Sequence, residues 1–128
     1  MKPSDINILT GTGVIACVLP TVSYFLEIPY APARKMIEKN IPVTIATDFN
    51  PGSAMSENLQ LAMSMGVHLL KMNVEEVINS VTINAAAALG ISHYTGSIEA
   101  GKQADMVILI HQITVIFFII LELIRLIL

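Results

Sequence analysis

One short stretch gathers residue types that could do chemistry: Thr47-Asp48-Phe49-Asn50-Pro51-Gly52-Ser53. Asp48 offers a carboxylate that can bind a metal or handle a proton. It follows an apolar run, Val43 to Ala46, that reads as a buried strand. The C-terminal ends of such strands are where α/β barrels place catalytic groups. A carboxylate there is costly to desolvate unless it is paired or bound to a metal. Asn50 supplies an amide donor and acceptor, Gly52 a backbone open to close approach, and Ser53 a hydroxyl beside a helix start. Together they could hold a small polar or anionic molecule. The same residues also read as plain turn chemistry, with Asp48 capping a turn that Asn-Pro-Gly forces. Spacing leaves both readings open.

Such a loop needs rigid elements on either side, and the flanking sequence predicts them. Asp5 to Leu9 ends a helix, and Thr10 to Gly13 breaks it. Val14 to Leu19 is a nearly continuous apolar run stopped by Pro20, the pattern of a strand covered on both faces. Ala31 to Lys39 reads as a helix opened by Pro32 in its first turn and closed at Asn40. After the strand at Val43 come two further helices, Glu57 to Leu70 and Val74 to Leu89. Asn73 and Glu76 form a capping box for the second, and Gly90 closes it. Tyr94 to Gly101 reads as turns, followed by a strand from Asp105 to Ile110. Buried strands alternating with helices argue for parallel α/β architecture. Two such strands need parallel neighbours to complete a sheet, so the chain reads as part of a larger fold.

Bulk properties narrow the partners. The 128 residues are 54% hydrophobic and 13% charged, with a formal net charge of −3. That balance provides no basic field for phosphate and argues against nucleic-acid binding. Cys17 is the only cysteine, so no internal disulfide can form, and a cytoplasmic location fits. Met1 to Asp5 lacks the basic-then-apolar pattern of a signal peptide. His68, His93, Glu57, Glu75 and Glu76 read as solvated or capping groups, and Met63, Met65 and Met72 as packing. Gly11 and Gly13 lack a dinucleotide fingerprint.

Val14 through Pro20, the run Tyr30-Ala31-Pro32-Ala33-Arg34-Lys35, Pro42-Val43 and Thr47 to Ser53 together resemble the imidazolonepropionase family in order and spacing. Gly96-Ser97-Ile98-Glu99-Ala100-Gly101-Lys102-Gln103-Ala104-Asp105 is similar to the stretch by which many amidohydrolases return from their barrel to a small β-sandwich. The resemblance spans roughly residues 4 to 110. It implies an incomplete TIM-type (β/α)8 barrel, the last two strand–helix units, plus one strand returning to the sandwich. Residues 1–92 would be the barrel part, 93–110 the return segment and 111–128 an apolar tail. By the same resemblance Asp48 is the catalytic and metal-ligating aspartate, and Asn50, Gly52 and Ser53 contact substrate or product. The implied reaction, in histidine degradation, hydrolyses 4-imidazolone-5-propanoate to N-formimidoyl-L-glutamate. A zinc or iron ion would lower the pKa of the attacking water. The substrate partner is thus a small molecule, and a homodimer is possible for the full-length family.

Some features depart from that pattern. The family's metal shell includes a His-x-His pair and a further histidine that this sequence lacks, so the chain is expected to be inactive alone. From His111 to Leu128 the resemblance stops and the residues are mostly Ile and Leu. The run from Ile113 to Leu121 is short for a membrane span, and Glu122 and Arg125 interrupt its continuation. The tail also reads as an amphipathic or aggregation-prone segment, or as a frameshift product, since permitted codons in a shifted frame can encode a family-like string. Two other functions stand beside the first: another cyclic-amide or nucleobase amidohydrolase or deaminase, and a non-catalytic membrane-associated protein.

Overall fold

The computed structural model describes residues 3–107. Its elements run in order α1 (Pro3–Leu9), β1 (Ala16–Val18), α2 (Pro20–Phe25), α3 (Ala33–Glu38), β2 (Val43–Ile45), α4 (Leu59–His68), α5 (Val74–Val81) and α6 (Ile83–Ala88). β1 and β2 pair in parallel, with Ala16 opposite Val43, Cys17 opposite Thr44 and Val18 opposite Ile45. The crossover between them carries α2 and α3, the connection that parallel strands require. The architecture is therefore α/β with a small parallel sheet.

β2 is the centre of the core. All three of its residues are buried, and it touches β1 and four helices, α3, α4, α5 and α6. Around it pack Met36, Ile41, Met63, Leu70, Met72 and Val77, so the methionines at 63 and 72 are core residues. Gly66 makes this closeness possible. A Cβ there would meet Ile45 Cδ1 at 2.8 Å and Val77 Cγ2 at 3.0 Å, so α4 can lie against β2 and α5 only with no side chain at that position.

Four expectations need correcting. The strand expected over Val14 to Leu19 is shorter, and it is not covered on both faces: Ala16 is half-buried, Cys17 exposed and only Val18 buried. Among the described residues no element covers the face on which Cys17 lies closely enough to bury it, and β1 has a strand neighbour on one side only. Pro20 does not simply stop that strand. It opens α2 from the first turn, where a proline's missing N–H is no loss. The single helix expected from Val74 to Leu89 is two. Thr82, at φ −121 and ψ −91, separates α5 from α6, and its hydroxyl donates back to the Ile78 carbonyl at 2.7 Å, a bond that competes with helix continuation. Asp105, Met106 and Val107 are exposed and not in a strand, having no strand neighbour among the described residues. Residues 108–110 and the tail 111–128 lie outside the described residues.

The capping box at Asn73 and Glu76 is present, and it does more than cap. Arg34 on α3 grips both Glu76 carboxylate oxygens, at 2.7 and 2.9 Å, tying α3 to the start of α5. The bond from Arg34 holds the Glu76 carboxyl below its ordinary value, opposed by burial and helped by the Asn73 amide. The folded pKa lies below the unfolded one. The stabilisation is therefore complete above the unfolded value near 4.5 and is lost as pH falls through the lower folded value. Glu76→Ala removes the cap and the ion pair together, and we expect it to cost about 1–2 kcal/mol. Most of that difference should vanish below the lowered folded value, and denaturant unfolding at matched protein concentration, at pH 7 and at a pH below that value, reads it. A penalty equal at both pH values would contradict the assignment.

Candidate functional site

Beyond Ile45 the chain leaves the sheet. The ladder ends where the Ala46 amide donates to the Val18 carbonyl at 3.2 Å. Two residues further on, Asp48 adopts φ +51, the left-handed region that Asp tolerates better than most residues at a cost of about 1–3 kcal/mol. The expected position of Asp48 at the end of a buried strand thus holds with an offset. It stands three residues past β2, exposed, at the C-terminal edge of the sheet.

The next residues fold back around its carboxylate. Asn50 and Ala54 bridge antiparallel, with backbone bonds of 2.9 and 3.3 Å, closing a tight loop over Pro51 to Ser53. The Asn50 carboxamide is its hub. Its oxygen accepts from the Gly52 and Ser53 amides at 2.8 and 2.9 Å. Its nitrogen donates to the Asp48 carbonyl at 2.6 Å, to the Ser53 hydroxyl at 2.7 Å and to Asp48 Oδ2 at 3.2 Å. Ser53 Oγ donates to the same Asp48 oxygen at 3.2 Å. A Cβ on Gly52 would sit 3.3 Å from Asn50 Oδ1, so glycine keeps the hub uncrowded. The four residues singled out in the sequence, Asp48, Asn50, Gly52 and Ser53, are therefore one hydrogen-bonded unit. The turn reading holds: the turn's own hydrogen bonds hold the carboxylate.

Two neighbours were not visible in the sequence. Thr21, fully buried, donates from its hydroxyl to the Thr47 carbonyl at 2.6 Å. Cys17 on β1 lies within range of the Asp48 charge: its thiol is pushed up by partial burial and, less, by that charge. Proline as a helix opener would have pointed to Thr21 as a first-turn residue; nothing local signals that Cys17 feels the Asp48 charge, which depends on strand register. His68 and His93 are exposed. Among the described residues no group of three or more His, Cys, Asp and Glu is placed to hold a metal ion. Asp48, with Oδ2 taking both side-chain bonds, fits as one ligand of a metal site and not as a complete shell. A concavity of about 810 Å³ lies between α4, α5, α6 and residues 95–107. It is apolar, lined by residues such as Met63, Val81, Leu89 and Ile98, and does not include Asp48. Among the described residues no helix is long and apolar enough to cross a membrane.

Comparison with known proteins bears on this geometry. The amidohydrolase family pattern matches residues 1–121. The chain is 48% identical over 108 residues to the imidazolonepropionase of Flavobacterium johnsoniae, covering 84% of this chain and 26% of that protein. It is 52% identical over 105 residues to the imidazolonepropionase of Fusobacterium nucleatum, covering 82% and 25%. The chain thus spans about a quarter of the length of the curated relatives it matches. Among solved structures it is similar to a zinc-bound adenosine deaminase from Xanthomonas campestris, with a TM-score of 0.77 at 24% identity, covering 84% of this chain and 26% of that one. It is also similar to the guanine deaminase of E. coli, with a TM-score of 0.72 at 21% identity and the same coverage. These structural likenesses speak to the fold.

Proposed function

The chain belongs to the amidohydrolase family, and from that premise we propose that it is the portion of an imidazolonepropionase that carries the last two strand–helix units of the barrel. The proposed activity of the whole protein is hydrolysis of 4-imidazolone-5-propanoate to N-formimidoyl-L-glutamate. The observation that carries this reading is 48–52% identity to imidazolonepropionases over more than 80% of the chain. Deaminase chemistry has only the shape of the fold in its favour.

In this reading Asp48 supplies one carboxylate ligand to a zinc or iron ion, and the other ligands come from stretches of the relatives that this chain does not span. The ion, when bound, supplies the Lewis acidity that makes water nucleophilic at neutral pH. Asp48 orients that water and holds its proton. Its Oδ2 is fixed by Asn50 and Ser53, and such support is what outer-shell partners give metal-ligating carboxylates. Asn50, Gly52 and Ser53 contact the propanoate-bearing substrate and the ring-opened product. Asn50 does so by exchanging a bond, because its amide is committed to the loop on both sides.

The test is a chimera. Residues 3–107 replace the matching stretch of the Flavobacterium johnsoniae enzyme, and consumption of 4-imidazolone-5-propanoate is followed by absorbance. Turnover is expected. A soluble, metal-replete chimera with none would overturn the reading, as would one that deaminates guanine instead.

A further inference from the structure

The Thr21 bond stands out because of what it grips. The Thr47 carbonyl and the Asp48 amide belong to one planar peptide unit, and Asp48's φ of +51 is the rotation between that plane and the residue's own Cα. With φ held in that left-handed well, whatever fixes the plane fixes the direction in which the Asp48 side chain leaves the backbone. The β-ladder does not fix it, since the last ladder bond is made by the Ala46 amide. The Asn50–Ser53 loop holds the carboxylate from the far side. The bond from Thr21 Oγ1 to the Thr47 carbonyl, 2.6 Å long, holds the peptide plane from behind. Thr21 is suited to this. It lies in the first turn of α2, whose N-terminus has no side-chain cap, so its hydroxyl serves another segment, 26 residues away. It has no exposed surface, so water does not compete for the bond.

We infer that Thr21 is a positioning residue for Asp48, a latch across the C-terminal edge of the sheet that sets the carboxylate's direction through the Thr47 peptide. Its functional consequence rests on the reading of Asp48 as the catalytic carboxylate; the latch itself is independent of it. Valine has threonine's shape without the hydroxyl, and serine keeps the hydroxyl without the methyl. A side chain that merely fills space tolerates Val and suffers from Ser. A latch does the reverse.

The experiment compares the full 128-residue chain with Thr21→Val and Thr21→Ser by hydrogen exchange and mass spectrometry. The method reads each peptide whatever the association state. With Val, amides of residues 49–54 are expected to exchange roughly tenfold faster, while those of α5 stay unchanged. Ser restores protection. In the chimera, Thr21→Val lowers kcat with little change in KM, and Ser recovers it. Unchanged loop exchange in Thr21→Val overturns the proposal. So does a rise shared equally by α5, or a Ser variant that behaves like Val. Loss of loop protection in Val alone, with every chimera inactive, upholds the latch and defeats the enzymatic reading, so the two fail separately.

Discussion

Asp48→Asn in the chimeric enzyme is expected to lower turnover by roughly 10²–10⁴-fold, the range for removing a positioned acid–base group. The substitution is nearly isosteric, and an amide oxygen can still accept one of the bonds now made by Asn50 and Ser53. What disappears is the charge. A neutral amide cannot hold a proton taken from water and binds a divalent ion weakly. The loss should therefore fall on kcat, and bound metal should fall with it. KM should move little, because the surrounding loop keeps its shape. Steady-state kinetics together with metal analysis of the purified variant check this. Activity within tenfold of the parent would remove Asp48 from the chemistry.

The second large effect concerns the 128-residue polypeptide purified by itself. We expect no turnover of 4-imidazolone-5-propanoate, no stoichiometric zinc or iron, and extensive self-association. The first two follow from ligand count: among the described residues Asp48 has no partners that complete a metal shell. Self-association follows from the surface. Ile8, Leu89 and Ile98 are 73%, 73% and 88% exposed, and Tyr24, Phe25, Leu26 and Ile28 form an uncovered apolar stretch at the end of α2. Fully burying one such side chain gains about 1.5–3 kcal/mol, so covering several outweighs the translational and rotational cost of association. Sizing chromatography with light scattering, and metal analysis on the same fractions, give the readout. A monodisperse monomer carrying one metal ion per chain would contradict both arguments.

The sequence made some of this legible and hid the rest for identifiable reasons. Asp48, Asn50, Gly52 and Ser53 could be grouped because their interactions span five residues or fewer, within reach of local turn chemistry. The Asn73–Glu76 box was legible for the same reason. α2 was missed because Pro20 both ends an apolar run and opens a helix, and the first meaning masked the second. The division at Thr82 was missed because hydrophobic periodicity continues through it while a single hydroxyl bonds backward. Thr21 and Arg34 bond residues many positions away, and Cys17 on β1 feels the distant Asp48 charge. Their roles depend on strand register and helix placement, which no local pattern encodes.

The two borders of the sheet are unequal, and Asn84 is the cause. β2 bonds β1 through the Pro42 carbonyl and the Ala46 amide, so the Val43 carbonyl points to the opposite border. There the Asn84 carboxamide, on α6, donates to it at 2.8 Å. A strand arriving on that side must evict a side chain to gain a backbone partner, trading one hydrogen bond for another with little net gain. Among the described residues no such guest bonds the outer border of β1. An incoming strand therefore meets a vacant seat along β1 and an occupied one along β2. Copies that stack strand on strand are steered to the β1 border, with their Cys17 thiols as the natural markers of that seam.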